Sequence, residues 1–329
     1  MKMKHTKLVF IIITMLLTVT FSTVISVNAD PDDGVIEGAD SREYWALLVG
    51  TDPKAYCSND ANIMYDMLID NGWDSSHISK ITGTQTTKSR FREELNWLDD
   101  KEDRNDVVIF YFSGHGGNRC IAFYDYGTDS YNMVAYYLVS LKSFFNKIES
   151  KNFVLIFDTC MAGSLSGDKH RLARSNSLQT ISESSIETKD DDGLLFGDLR
   201  QHGRVIITSC KKNEYAYGDD DFKNGIFTHY YVEGLSGGGD DDDCNGRISI
   251  QEGFSYAKRK TEYYTSHHSD PDVTTMHPGM DDKVNYGFGE LEITLPDKNK
   301  NDKSRAIENF AIFQKRVLIL LEKVRALLG

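Results

Sequence analysis

The sequence is short of proline and cysteine, with five of each, and short of positive charge, with 37 Lys and Arg against 50 Asp and Glu. So few prolines leave little room for long irregular linkers, and 329 residues with 40% apolar content can bury a core of their own. A disulfide-stapled miniprotein and a disordered tail protein are both excluded. A formal net charge of −13 repels phosphate backbones, which excludes a nucleic-acid-binding surface and favours peptides, small molecules or cations as partners. No C-x-x-C occurs among Cys57, Cys120, Cys160, Cys210 and Cys244, and no His falls at zinc-finger intervals, so a structural zinc site is not expected. There is no internal repeat and no low-complexity tract beyond Gly237 to Asp243.

Acids are absent from the first 29 residues, which carry Lys2, Lys4 and Lys7. An uncharged stretch from Leu8 to Val27 leads into Val27-Asn28-Ala29, small residues where a signal peptidase reads, and then into Asp30-Pro31-Asp32-Asp33. This predicts a secretory signal over residues 1–29 cleaved after Ala29, an acidic spacer over 30–43, and a secreted or extracytoplasmic protein. The apolar stretch is long enough to span a bilayer, so the alternative is an uncleaved membrane anchor, the one case in which a membrane is a partner. Five cysteines in an exported chain leave one thiol unpaired.

Short, fully apolar runs at Tyr44–Gly50, Val107–Phe112, Phe153–Phe157 and Arg204–Thr208, with a strand at Ile78–Ile81, alternate with helical spacing over Ala61–Ile69, Thr87–Leu98, Leu138–Ile148 and Phe227–Leu235. Alternation of this kind means a mostly parallel sheet with helices on both faces, an α/β fold of three layers whose ligand site lies beyond the carboxyl ends of the strands. Ser164–Asp198 interrupts the pattern as a loop rich in Ser, Thr, Asp and Gly that carries Lys169, Arg171, Arg174 and Lys189. Over 299–329, Phe310, Phe313, Val317, Leu320, Val324 and Leu327 keep the 3-4 spacing of an amphipathic helix, through which the chain could form an oligomer.

Two strand ends carry candidate chemistry. One runs into Ser113-Gly114-His115-Gly116-Gly117 and the next into Asp158-Thr159-Cys160-Met161-Ala162-Gly163. On neighbouring parallel strands, an imidazole and a thiol would face each other across one rim, and a cysteine needs such a base because little of it is thiolate at neutral pH. The glycines beside His115 can bring backbone N–H groups to a developing oxyanion.

As a set, these segments resemble the caspase-like cysteine peptidases, the group of caspases, metacaspases, legumains and the peptidase subunit of the GPI transamidase. The resemblance covers roughly residues 44–298 and includes Cys57-Ser58-Asn59-Asp60-Ala61 and Ile207-Thr208-Ser209-Cys210. It implies a caspase-like fold and a cysteine endopeptidase acting on peptide or protein substrates without an organic cofactor. Cys160 would be the nucleophile, His115 the general base and then acid, and the N–H groups of Gly116 and Cys160 the oxyanion hole. Asp60, Asp158 and Ser209 match substrate-binding positions, and the two acids there favour Arg or Lys before the scissile bond. From the residues alone, a buried pair of acids is costly unless a cation neutralises it; the plain alternative is that Asp60 N-caps the helix at Ala61 and Asp158 caps local backbone. Met161-Ala162 departs from metacaspases, and the motifs also resemble the legumain side, so the alternatives are an Asn-directed protease or transpeptidase and a non-catalytic peptide-binding module. Family members are often cut between the nucleophile strand and the next, so self-processing within 164–198 is expected.

One further segment stands apart. Residues 241–252 satisfy the EF-hand pattern, with oxygen ligands at Asp241, Asp243, Asn245, the Arg247 carbonyl, Ser249 through water and Glu252, and with Gly246 at the sharp turn. A structural or activating Ca2+ is expected there, followed by a helix over Gln251–Glu262; a solvated acidic turn is the alternative.

Overall fold

A computed structural model describes residues 42–51, 56–117, 120–125, 132–160, 199–211, 214–242, 246–284 and 291–295. The expected signal segment, the loop over 164–198, the ligands Asp243 and Asn245 and the C-terminal helix lie outside the described residues. Among those described, no helix is long and apolar enough to cross a membrane.

In chain order the main elements are β1 (Tyr44–Gly50), α1 (Cys57–Asp70), β2 (Ile78–Thr82), α2 (Lys88–Lys101) and β3 (Val107–Gly114). A small antiparallel sheet of β4 (Gly116–Gly117), β5 (Cys120–Asp125) and β6 (Asn132–Tyr137) follows, then α3 (Leu138–Phe145), β7 (Asn152–Thr159) and β8 (Arg204–Thr208). The chain continues through a short ladder of β9 (Gly218–Asp219) and β10 (Asn224–Gly225), α4 (Ile226–Glu233), α5 (Ile250–Ser266) and β11 (Gly279–Asp282). The central sheet has the order β11-β8-β7-β3-β1-β2, parallel except for β11, which runs antiparallel along β8.

Strand alternation divides the core into two layers. On one face Ala46, Leu48, Ile109, Tyr111, Val154 and Ile156 pack with Ala61, Met64 and Leu68 of α1 and with Phe227 and Tyr231 of α4. On the other, Leu47, Val49, Phe110, Phe112, Leu155 and Phe157 meet Phe91, Leu95 and Leu98 of α2 and Leu141 and Phe145 of α3. Burial on both faces is why the strands read as unbroken apolar runs. The second layer is rich in phenylalanine, and truncating one of its buried rings to alanine costs about 3–5 kcal/mol.

The expected helices form with their ends shifted by a few residues. Thr87 caps α2 by accepting the Arg90 N–H at 3.2 Å, and α1 starts at Cys57, so Asp60 sits inside its first turn and is not its N-cap. The β4–β6 sheet and β11 have no counterpart in the periodicity reading: β4 and β11 are short and lack an apolar run, while β5 and β6 carry apolar runs, CIAFY and MVAYY, that stand outside the strand–helix alternation. Where the chain returns after 161–198, the buried Arg204 guanidinium donates to the carbonyls of Leu199 (2.9 Å) and Phe145 (2.6 Å) and to Asn146 Oδ1 (3.2 Å). Burial lowers its pKa to about 10.

Candidate active site

Register brings the two motif strands into step. Ser113 pairs with Asp158 and Gly114 with Thr159, so His115 and Cys160 are the next residues of two adjacent parallel strands. Neighbouring strands lie about 4.8 Å apart. The turn at Gly116 presses directly on the nucleophile strand: a Cβ at this position would lie 2.4 Å from the Cys160 carbonyl oxygen and 2.4 Å from Thr159 Oγ1. Only glycine permits that approach. The same turn sends the His115 carbonyl to the Ala122 N–H at 2.8 Å, which ties it to β5.

Alternation also places Asp158 and Cys160 on one side of β7, and Ser113 on the same side of β3, the side covered by α1 and α4. There Asp60 reaches in from α1. Asp60 and Asp158 are almost wholly buried, at 1% and 5% exposure. Asp60 Oδ2 accepts the Ser113 hydroxyl at 2.6 Å, while Oδ1 accepts the Gly225 N–H at 2.8 Å and Asn224 Nδ2 at 3.1 Å. Asp158 Oδ2 accepts the Thr228 hydroxyl at 2.6 Å and the Thr228 N–H at 3.3 Å. Thr228 Oγ1 in turn lies 2.6 Å from the Tyr111 hydroxyl.

Gly225 and Thr228 belong to the first turn of α4, so both carboxylates are built onto a helix N-terminus, where unpaired N–H groups favour anions. Gly225 lies so close that a Cβ there would stand 2.5 Å from Asp158 Oδ2 and 3.1 Å from Asp60 Oδ2. Even with these donors the pair is strained. Burial, then repulsion from Asp158, pushes Asp60 up to about 7, and burial raises Asp158 as well against the pull of the Thr228 and Ser209 hydroxyls. Burial and mutual repulsion therefore work against the pair carrying two full charges.

The Cys160 sulfur is held by a single peptide group. Ala216 N–H donates to Sγ at 3.1 Å, and the thiol donates to the Ala216 carbonyl at 3.3 Å. Burial raises the thiol to about 11, with the Ala216 N–H opposing and Asp158 adding to the rise. A raised value favours the protonated thiol, so a thiol in this setting needs a base to become nucleophilic. Cys210 is buried behind it, its thiol directed to the Thr159 carbonyl at 3.5 Å. Neither Cys160 nor Cys210 is in a disulfide.

Residues 43–285 match the model of the caspase domain family. The chain belongs to the caspase domain family. Among individual relatives, Metacaspase-1 of Candida albicans is 32% identical over 88 residues, 24% of this chain, and the match spans only 20% of that protein's length. Solved structures similar to the caspase domain include protein GSU0716 from Geobacter sulfurreducens, at 16% identity and a TM-score of 0.44, covering 78% of this chain and 95% of that one. Caspase-1 from Spodoptera frugiperda gives 10% identity and a TM-score of 0.45 over 77% and 91% of the two chains. The family is one of cysteine peptidases, and its members act on peptides or proteins.

Within this caspase domain the candidate site gathers Cys160, His115, Gly116, Asp60, Asp158 and Ser209 on one strand rim. Ser113, Asn224, Gly225, Thr228 and Ala216 join them without having been expected. Ser113 stands at a motif strand end and Asn224-Gly225 is a turn dipeptide before a helix, so both left a local trace in the sequence; Thr228 and Ala216 left none.

The 241–252 loop lies elsewhere. Gly246 adopts φ +80°, the left-handed turn its position requires, and its N–H donates to Asp241 Oδ2 at 3.0 Å. Ser249 caps α5 in a reciprocal box with Glu252, whose Oε2 accepts the Ser249 N–H at 2.9 Å and whose Oε1 accepts the Asp242 N–H at 2.6 Å. The helix expected over Gln251–Glu262 forms as α5. Among the described residues, no three His, Cys, Asp or Glu side chains converge as a metal site. The loop's donors are hard oxygens, which suit Ca2+ rather than a softer metal.

Proposed function

We propose that this chain is an exported cysteine endopeptidase that cuts peptide bonds after Arg or Lys. The observation that carries the specificity is the buried Asp60–Asp158 pair on the same rim and the same side of the sheet as the thiol. Two buried carboxylates that repel one another form a site for a cation. A guanidinium or ammonium entering from the substrate would offset their repulsion and let both acids carry charge.

In the proposed reaction His115 takes the thiol proton as Sγ attacks the carbonyl carbon. The N–H groups of Gly116 and Cys160 would hold the oxyanion of the tetrahedral intermediate, a role supported by the close approach of the Gly116 turn to the Cys160 backbone. The imidazolium then protonates the departing amine, leaving a thioester, and a water activated by the same imidazole releases the acid and restores the thiol. A Ca2+ held by Asp241, Asp243, Asn245, the Arg247 carbonyl, Ser249 and Glu252 belongs to the same proposal. It would supply charge neutralisation to the loop that leads into α5, and no step of the reaction passes through it. Processing within 164–198 by the protein itself also belongs here.

The deciding experiment is a fluorogenic peptide panel with Arg, Lys, Asn or Asp before the reporter, run on the wild type, Cys160→Ala and His115→Ala. Arg and Lys peptides should be cleaved by the wild type alone, and Cys160→Ala should also keep its chain intact. Preferential cleavage after Asn, or turnover that survives Cys160→Ala, would overturn the assignment.

A further inference from the structure

Glu214 takes no part in the roles assigned above, yet its carboxylate is fully engaged. Oε2 accepts the N–H groups of Lys211 at 3.1 Å and His277 at 2.9 Å, and Oε1 lies 2.7 Å from His277 Nδ1. The Glu214 N–H returns to the Lys211 carbonyl at 3.0 Å, and the Glu214 carbonyl receives the Cys210 thiol at 3.6 Å. The other half of this contact is equally anchored. Met276, fully buried, donates its N–H to Thr265 Oγ1 on α5 at 3.0 Å, and Gly279 pairs with Thr208 at the start of β11. His277 is thus fixed between a helix and a strand, and it fixes Glu214. Two residues later comes Ala216, whose N–H and carbonyl both meet Cys160 Sγ.

We propose that Glu214 and His277 form a clamp that positions the Ala216 peptide against Cys160 Sγ and thereby sets the reactivity of the thiol without touching it. The proposal rests on reading Cys160 as the nucleophile. A backbone N–H aimed at sulfur favours the thiolate, and the bond weakens steeply once its distance or angle drifts. Ala216 is held from both sides: Tyr217, the next residue, accepts the Ile226 N–H at 2.9 Å, and two residues before it stands the Glu214 carboxylate, bonded on both oxygens. The groups facing the sulfur from the other elements are Asp158 on β7, Cys210 after β8 and His115 after β3. Those facing Glu214 are Lys211 and His277. Opening the clamp leaves the former set in place and withdraws the Ala216 N–H, which lowers the thiol, together with the Ala216 carbonyl that accepts its proton.

The test reads the thiol itself. Alkylation of Cys160 by iodoacetamide is followed by mass spectrometry on the peptide that contains it, from neutral to alkaline pH, in wild type, Glu214→Ala, Glu214→Gln and His277→Ala, with thermal midpoints measured alongside. Glu214→Ala should move the pH profile up by about one unit, which is roughly tenfold slower alkylation at neutral pH. Glu214→Gln should stay near the wild type, since its carbonyl can accept both N–H groups while its amide donates to the other tautomer of His277. His277→Ala should fall between. An unchanged profile in a folded Glu214→Ala protein, or an equal shift in the Gln variant, overturns the clamp. Should Glu214→Ala not fold, His277→Ala decides alone, because its side chain is 41% exposed and its loss removes a single ring contact; no shift there refutes the proposal. Alkylation needs no peptide substrate, so a shifted profile in a protein that cleaves nothing would refute the peptidase reading and leave the clamp standing.

Discussion

On the strand rim two carboxylates are withdrawn from water, Asp60 at 1% and Asp158 at 5% exposure, whereas in the 241–252 loop Asp242 is exposed and Asp241 half-buried. Both regions concentrate negative charge, and both lie beside a helix start. The rim acids take side-chain hydroxyls, an amide and the first-turn N–H groups of α4, and burial still raises both above the ordinary carboxylate value. The loop acids turn onto backbone N–H groups nearby: Asp241 onto Gly246, and Glu252 onto Ser249 and Asp242. Like charges kept dry are costly and are retained where something else uses them; like charges kept wet cost little and organise a turn. On the proposed reading the rim pair meets a cationic side chain of the substrate, while the hydrogen bonds of the loop acids order the turn before α5.

The sharpest way to break that contrast is to neutralise one acid in each region. Asp60→Asn or Asp158→Asn should lower kcat/KM for an Arg peptide by on the order of a hundredfold, about 3 kcal/mol for losing one partner of a buried charge-assisted contact. Asp242→Asn should leave kcat/KM within a factor of about two, as expected of an exposed acid. Equal losses in the two regions would show that the rim pair has no special part in recognition.

A second contrast concerns pH. Asp60 has a folded-state value near 7 against an ordinary 3.8, so between those two values the native state keeps a proton that the unfolded chain has released. Its contribution to stability is therefore fully present below about pH 4 and is lost as pH rises to about 7, after which it stays flat. Thermal midpoints of wild type and Asp60→Asn, measured across that window, should diverge, with the wild type falling relative to the variant as pH rises. Parallel curves would mean that the rim pair is not strained. In the same window the Arg-peptide kcat/KM should rise with pH, since the cation needs the ionised pair.

Much of this arrangement was legible before any coordinates. Tyr44–Gly50, Val107–Phe112 and Phe153–Phe157 announce buried parallel strands because both of their faces are covered, and the rule that ligands bind beyond strand ends then points to His115 and Cys160. Asp158 comes with the motif, two residues before the thiol on the same side of the strand. Asp60 was legible as a candidate only through the resemblance, since a single acid near a helix start reads as a cap. The helix in fact begins four residues earlier, at Cys57, which turns Asp60 inward. Thr228, Ala216 and Glu214 stayed hidden because each acts through a contact set by tertiary packing, across 70, 56 and 63 residues of chain respectively. No periodicity or spacing records such a pairing. The β4–β6 sheet escaped for a different reason: its β5 and β6 carry apolar runs but form an antiparallel pair outside the strand–helix alternation that the reading followed.

The smallest effect expected lies in the loop and tests whether its order is local or metal-borne. Ser249 is fully buried, donates its hydroxyl to Glu252 at 3.1 Å and accepts the Glu252 N–H at 3.0 Å, so Ser249→Ala removes the side-chain half of the reciprocal cap and leaves the Ser249 N–H on Glu252. A lost N-cap costs about 1 kcal/mol. If the capping box alone orders the loop, the thermal midpoint should drop by that amount and be indifferent to excess EGTA in both proteins. If Ca2+ also binds, EGTA should lower the wild-type midpoint further, and Glu252→Gln should abolish that difference because an amide replaces the bidentate ligand. The two residues therefore separate cap from cation: Ser249 reports the hydrogen bonds of the helix start, and Glu252 reports both. A wild-type midpoint and Arg-peptide rate that are unmoved by prolonged dialysis against EGTA would remove calcium from the proposed function while leaving the rim, its thiol and its acid pair as they stand.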